Sequence, residues 1–190
     1  FEEALRDSGL EWSIVRPTAF FKSLSGQIDR VRAGKPYLLF GDGRLTACTP
    51  IADEDLGDFL VDCLEKQELR NRILPIGGPG PALTPRDQGE LLFEVADMEP
   101  RFRSVSPRLL DVVIAVLSLG GRLIPALRER AELARIGRYY ATESMLVWDE
   151  VRGRYDADAT PVYGTRTLQE YFERRLTGEL EDQRGEHAVL

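Results

Sequence analysis

From Trp12 to Val105 the chain alternates short apolar runs, bounded by proline and glycine, with longer stretches whose apolar residues recur every three to four positions. Short apolar runs suit buried strands, and a period near 3.6 suits helices that bury one face. Strands and helices in alternation build an α/β layer around a mostly parallel sheet. Beyond Pro107 the helical pattern continues without strands, so a mostly helical region is appended. The expected division is 1–106 for the α/β part, 107–177 for the helical part and 178–190 for a polar, frayed tail.

The signals are local. Residues 2–8 suit a helix that stops at Gly9, and 20–33 suit another that stops at Gly34. Trp12-Ser13-Ile14-Val15 reads as a strand ended by Arg16-Pro17, because proline has no N–H for the ladder. Pro36 to Phe40 reads as a strand, Gly41-Asp42-Gly43 as a turn, and Leu45 to Ile51 as the return strand. Asp53 is a candidate N-cap for a helix with Leu56, Phe59, Leu60, Cys63 and Leu64 on its buried stripe. Ile73 to Ile76 is a strand with an edge-marking Pro75. Thr84-Pro85 pairs a capping hydroxyl with proline at the first helical position, and Leu91, Leu92 and Val95 follow on the buried face. Phe102 to Val105 is the last expected strand. Helix is expected from Pro107 to about Leu133 and from Tyr163 to Thr177, where Leu168, Tyr171, Phe172 and Leu176 share a side.

Bulk properties exclude several functions. A chain of 190 residues can bury roughly 70% of its unfolded surface. The net charge of -7 argues against general nucleic-acid binding, which relies on a positive surface. Cys48 and Cys63 have no metal-type spacing, and the one histidine, His187, lies in the tail, so no metal site is expected. Two cysteines make no disulfide framework, which points to a reducing compartment. Phe1 to Arg6 reads as the inside of a helix rather than a targeting peptide, as in a chain cut within a longer protein. The apolar run from Leu109 to Leu127 is interrupted by Asp111, Gly120-Gly121, Arg122 and Pro125. A spanning helix needs about 20 mostly apolar residues, so a buried or interfacial helix is expected instead. Arginine-rich, lysine-poor usage suggests a high-GC bacterial genome, hence cytoplasm or the inner face of a membrane.

In open α/β sheets ligands lie beyond the carboxyl ends of strands. Thr18 to Phe21 would stand there, with free backbone groups for a carboxamide or pyrophosphate and Phe20 or Phe21 to cover a flat ring. The plainer reading makes Arg16 a structural cation and Phe20 and Phe21 core. No Gly-x-Gly-x-x-Gly fingerprint is present, and Gly77-Gly78-Pro79-Gly80 is proline-blocked and poorly suited to phosphate.

Val15-Arg16-Pro17, Pro50-Ile51 and Asp55-Leu56 resemble the later half of extended and atypical short-chain dehydrogenase/reductases. Longer strings resemble one family within them, the NADPH-dependent divinyl chlorophyllide a 8-vinyl reductases, close to NmrA-like proteins. These strings are Trp12 to Leu24, Gly34 to Tyr37, Phe40 to Gly43, Leu74 to Gly80, Ala82 to Pro85, Ile136 to Leu146 and Thr160 to Gly164. Thr18-Ala19-Phe20-Phe21-Lys22-Ser23 and the Gly137-to-Leu146 string are the most specific. Val162 departs from the serine expected in the family.

The resemblance covers about Phe1 to Leu176. It implies the C-terminal part of a Rossmann-type NAD(P)-binding fold with a mostly helical substrate-binding region. It implies reduction of the 8-vinyl group of divinyl chlorophyllide or protochlorophyllide to ethyl, with NADPH as donor. The phosphate-binding glycine loop, and the lysine of a Tyr-x-x-x-Lys pair where one is used, would then lie upstream of Phe1. Arg16, Pro17, Thr18, Ala19 and Phe20 would face the cofactor. Phe21, Lys22, Glu143, Ser144 and Met145 would meet the tetrapyrrole, and Tyr139, Tyr140 and Lys22 are the candidate proton donors or charge stabilisers. Read without the resemblance, the tyrosines are half-buried packing residues, Lys22 a solvated lysine and Glu143 a cap or ion-pair partner. The apolar 109–127 helix suits ordinary core, a wall for a flat greasy substrate, or peripheral contact with a photosynthetic membrane; in a plant the compartment would be the chloroplast. The competing function is a non-catalytic NmrA-like NAD(P) sensor that binds a partner, or a reductase of another hydrophobic substrate.

Overall fold

A computed structural model describes residues 1–121 and 124–182. In chain order its elements are α1 (Glu2–Arg6), β1 (Ser13–Pro17), α2 (Phe21–Leu24), α3 (Ile28–Arg32), β2 (Tyr37–Phe40), α4 (Asp53–Glu65), β3 (Arg72–Ile76), α5 (Pro85–Val95), β4 (Phe102–Val105), α6 (Arg108–Gly120), α7 (Pro125–Thr142), β5 (Val147–Asp149), β6 (Arg154–Asp156) and α8 (Leu168–Thr177). The α/β character and parallel pairing expected from the alternation are present. The chain forms two compact units. One comprises Phe1–Phe21, Cys48–Ala82 and Leu146–Tyr171; the other comprises Lys22–Ala47, Leu83–Met145 and Phe172–Leu190.

In the first unit β1 and β3 pair in parallel, with Val15 opposite Leu74 and Pro17 opposite Ile76. Arg16 and Pro17 are the last two residues of the strand, and Pro17 is still paired within it. Thr18 N–H donates to Ile76 O at 2.9 Å, and N–H directions alternate along a parallel strand. Position 17 therefore faces away from β3, where a missing N–H leaves this ladder intact. Ile51, Phe59, Cys63, Leu74 and Ile76 form the core, flanked by Val15, Phe20, Leu56, Leu69 and Tyr163. The expected stripe of α4 is rotated. Its buried residues are Asp55, Phe59 and Cys63, whereas Leu60 and Leu64 are 47% and 77% exposed. Its N-cap is Ala52 rather than Asp53, with no side-chain cap. A short β5–β6 hairpin that no periodicity signalled sets Trp148 edge-on to Tyr155, with ring centroids 5.0 Å apart.

In the second unit β2 pairs in parallel with β4. The expected return strand from Leu45 to Ile51 does not form, because both edges of β2 are occupied. On one edge Tyr37 N–H donates to Arg101 O at 2.7 Å and Gly41 N–H to Val105 O at 2.9 Å. On the other, the Gln27 side-chain amide stands in for a strand: its Nε2 donates to Leu38 O at 2.9 Å and its Oε1 accepts from Leu38 N–H at 2.6 Å. Gln27 can do so because the expected 20–33 helix is split by a 3₁₀ turn at Ser25–Gln27. The Thr84 signal is met in full: its hydroxyl accepts from Asp87 N–H, and the Asp87 carboxylate accepts from Thr84 N–H. Leu92 and Phe93 carry the buried face of α5. Gly89 lets Phe102 and Tyr37 close on that helix, since a Cβ there would lie 2.7 Å from the Phe102 ring.

The apolar run folds into α6 and the start of α7, which pack against each other. The second helix runs to Thr142, past the Leu133 expected from the pattern. Among the described residues no helix is long and apolar enough to cross a membrane. The closing helix α8 starts at Leu168 rather than Tyr163, where Thr167 and Glu170 cap each other: Glu170 N–H donates to Thr167 Oγ1 and Thr167 N–H to the Glu170 carboxylate. Arg122, and the tail residues 183–190 with His187, lie outside the described residues.

Candidate functional site

The strap after β1 is where an α/β sheet places ligands, and most of its polar groups turn inward. Thr18 N–H bonds Ile76 O, Ala19 O accepts from Ile51 N–H at 2.9 Å, and Phe21 N–H donates to Ile51 O at 3.2 Å. The Thr18 hydroxyl donates to Thr49 O. The expectation of free backbone groups here is thus corrected for Thr18, Ala19 and Phe21. The cause is a parallel bridge between Phe20 and Ile51, which lashes the strap to the segment entering α4. Arg16 is exposed and its guanidinium meets the Glu2 carboxylate at 2.8 Å. Pro17 and Phe20 are half-buried, Phe20 against the core cluster. Phe21 is 4% exposed and its ring tilts against Tyr171 at 5.7 Å.

The glycine-rich loop after β3 is also occupied. Gly77 N–H donates to Pro161 O at 2.8 Å, Gly78 N–H to Thr49 O at 3.0 Å, and Gly77 O accepts from Tyr163 N–H at 2.9 Å. A Cβ at Gly77 would lie 1.9 Å from Thr49 Oγ1, and one at Gly78 2.0 Å from Pro50 O. These glycines are needed for the close approach of three chain segments, not for cradling phosphate.

Two polar knots in the same unit were invisible to pattern reading. Asp55, 2% exposed, accepts from Thr165 N–H at 3.1 Å, from Arg166 N–H at 3.0 Å and from the Arg166 guanidinium. Tyr163 O–H donates to Asp62 at 2.9 Å, and Lys66 reaches the same oxygen at 2.7 Å. The Lys66 ammonium and the Tyr163 hydroxyl hold the Asp62 carboxyl below its ordinary range. The same hydrogen bond pushes the Tyr163 phenol up. A buried aspartate two residues into a helix, with an arginine far downstream, gives no periodic signal; the spacing becomes meaningful only once the fold joins them.

The other named residues, Lys22, Tyr139, Tyr140, Glu143, Ser144 and Met145, belong to the second unit. Tyr139 and Tyr140 are exposed rather than half-buried, edge-to-face at 5.8 Å. Ser144 Oγ accepts from Ala47 N–H and Met145 N–H donates to Ala47 O, both at 3.0 Å. Those two bonds tie the end of α7 to the segment after β2. Glu143 N–H closes the helix on Tyr139 O at 2.9 Å. Lys22 is half-buried. A cleft of about 170 Å³ lies alongside, lined by Tyr37, Leu38, Phe40, Leu45, Pro85 and Tyr140 among others. Its walls are mostly apolar side chains. Its volume is below the about 300–1,000 Å³ that encloses a whole small-molecule ligand.

No family model matches the chain. The whole chain is 51% identical to the chloroplastic divinyl chlorophyllide a 8-vinyl-reductase of Cucumis sativus, spanning 45% of that protein. It is 52% identical to the protein of the same name from Zea mays over 172 residues, 90% of this chain and 43% of the relative. The resemblance carried by the motif strings is therefore shown at the level of whole-chain similarity. The chain spans less than half the length of these relatives. Among solved structures, the leucoanthocyanidin reductase of Vitis vinifera in its binary complex with NADPH superposes with a TM-score of 0.60 at 12% identity, covering 93% of this chain and 56% of the other. That likeness shows the fold, a Rossmann-like architecture.

Proposed function

We propose that this chain is the substrate-side, C-terminal part of an NADPH-dependent reductase that converts the 8-vinyl group of divinyl chlorophyllide or protochlorophyllide to ethyl. The observation that carries the reading is the 51% identity, over the whole chain, to a relative bearing that name. On this reading 1–106 belongs to the nucleotide-binding side and 107–177 to the substrate side. A nicotinamide cofactor is supported by the leucoanthocyanidin reductase likeness, and NADPH in particular is part of the proposal.

Among the described residues, those at the carboxyl end of β1 fit one end of such a cofactor. Pro17 and Phe20 offer half-buried apolar surface at the carboxyl end of β1, suited to a nicotinamide ring. The amides of Thr18, Phe21, Gly77 and Gly78 are engaged within the protein, so the pyrophosphate would be held by residues upstream of Phe1. When bound, the cofactor supplies a hydride. One carbon of the vinyl group takes the hydride and the other a proton, so that the C=C π bond is replaced by two C–H bonds. Tyr139 and Tyr140 are the proposed proton donors, with Lys22 near the substrate; their exposure lets solvent reprotonate them. Glu143, Ser144 and Met145 position the segment beside the apolar cleft. The setting proposed is a photosynthetic cell, in bacterial cytoplasm or plastid, with peripheral contact to the photosynthetic membrane.

The test uses the full-length gene product with NADPH and divinyl chlorophyllide, following the blue shift of the absorption band. Turnover is expected, with Tyr140→Phe lowering kcat by about tenfold or more if its proton is used. No shift with pigment bound refutes the reading. Tight NADPH binding by the 190-residue chain alone refutes the placement of the phosphate site upstream.

A further inference from the structure

The α6–α7 hairpin shows more apolar surface than any packing within its unit explains. Helix α6 has no buried residue. Leu109, Val112, Val116 and Leu119 are 53–66% exposed and Val113 is 39% exposed. Their spacing of three, four, seven and ten residues places them on one face of the helix. The other face is engaged by α7: Ser118 Oγ accepts from Arg135 at 2.9 Å, and Asp111 pairs with Arg138. Ile124, just before α7, and Leu133, Ile136, Tyr139 and Tyr140 on α7 are exposed as well. An unpartnered apolar stripe of this kind on α6 marks an interaction surface rather than ordinary solvent-facing surface.

The charge around it selects the partner. The chain carries a net charge of -7, yet residues 107–145 hold six arginines against four carboxylates. Arg108, Arg128 and Arg130 make no ion pair among the described residues. An apolar helical stripe in a hairpin that carries excess arginine and exposed tyrosines has the composition of an element that lies in the headgroup region of an anionic bilayer. The hairpin would rest on the surface, since no described helix can cross a membrane.

We infer that the α6–α7 hairpin is a membrane-surface anchor, with the stripe Leu109, Val112, Val113, Val116 and Leu119 seated in an anionic lipid monolayer. The inference rests on the reading above only for the kind of membrane, and its test involves no catalysis, so the pigment assay and this one fail separately. Vesicles of phosphatidylcholine mixed equally with phosphatidylglycerol are floated with the 190-residue chain, against phosphatidylcholine alone. The chain is expected to float with the anionic vesicles and to be released by salt. The exposed pair Val112→Glu with Val116→Glu should weaken flotation by about tenfold or more. Arg128→Glu with Arg130→Glu should weaken it by about fivefold for each charge without touching the stripe. Circular dichroism checks that each variant is folded, and the arginine pair stands as the test if the valine pair is not. Absence of flotation, or flotation that ignores both sets, overturns the proposal. So does a concentration-dependent dimer broken by the valine pair without vesicle binding, because a second copy would then cover the face.

Discussion

Asp55 should be the most costly single carboxylate to remove. Its side chain is 2% exposed and takes hydrogen bonds from two backbone amides and one guanidinium. In Asp55→Ala the Thr165 and Arg166 amides lose a charged acceptor, each bond being worth about 1.5–3 kcal/mol. Together the two bonds give an expected loss of about 4 kcal/mol, with the thermal midpoint lowered by roughly 10 °C for a chain of this size. The guanidinium contributes little of it, because the Arg166 side chain is 46% exposed; Arg166→Met should cost about 1 kcal/mol. Urea unfolding of both single variants and the double variant separates the contributions. The double should resemble Asp55→Ala. A loss below about 1 kcal/mol for Asp55→Ala, or one equal to that of Arg166→Met, would mean that water satisfies the two amides and that the knot does not hold the 163–166 segment.

Gly78→Ala should cost about 3 kcal/mol in urea unfolding, because its Cβ would lie 2.0 Å from a backbone oxygen, Pro50 O, that cannot rotate away; a neutral result would refute the tight crossing. The Asp62 carboxyl is lowered by Lys66 and Tyr163, so its stabilising effect is present above the unfolded value near 3.8 and is lost as pH falls through the lower folded value. Asp62→Asn should therefore be less stable than the wild type at neutral pH and converge with it in acid. A gap that persists unchanged at low pH would contradict this assignment.

What the sequence disclosed tracks how local each signal is. The strands at Ile14, Leu39 and Leu74, the Thr84 capping box and the stops at Gly9 and Gly34 follow from a few neighbouring residues, and the glycines take the positive φ their positions require. Signals failed where a distant partner decided. Leu45 to Ile51 looks like a return strand until β4 and the Gln27 amide are found on the two edges of β2. The α4 stripe looks right until Asp55 turns inward to meet residues more than a hundred positions away, leaving Leu60 and Leu64 outside. The three-residue strands of β5–β6 are too short and too polar for a period-two pattern to register.

The motif strings divide in the same way, and the division bears on function. Many of their residues have folding work. Gly34 and Gly43 take positive φ, Gly77 and Gly78 permit a chain crossing, Thr84 caps a helix, and Gly164, at φ +89, has no room for a Cβ beside Asp55. Such residues hold the fold together, and their presence in the strings carries no information about chemistry. Ser144 and Met145 have folding work too, since their hydrogen bonds to Ala47 fix the end of α7. Tyr139 and Tyr140 do not. They are adjacent in sequence, not the i,i+3 or i,i+4 spacing that supports a helix, and as exposed rings meeting edge to face they leave apolar surface in water. Tyr140 also lines the apolar cleft. Variants at the cleft side of α7 therefore test the proposed substrate role with little cost to folding, whereas at the strap Thr18, Ala19 and Phe21 also lash β1 to the entry of α4, so changes there would confound folding with chemistry.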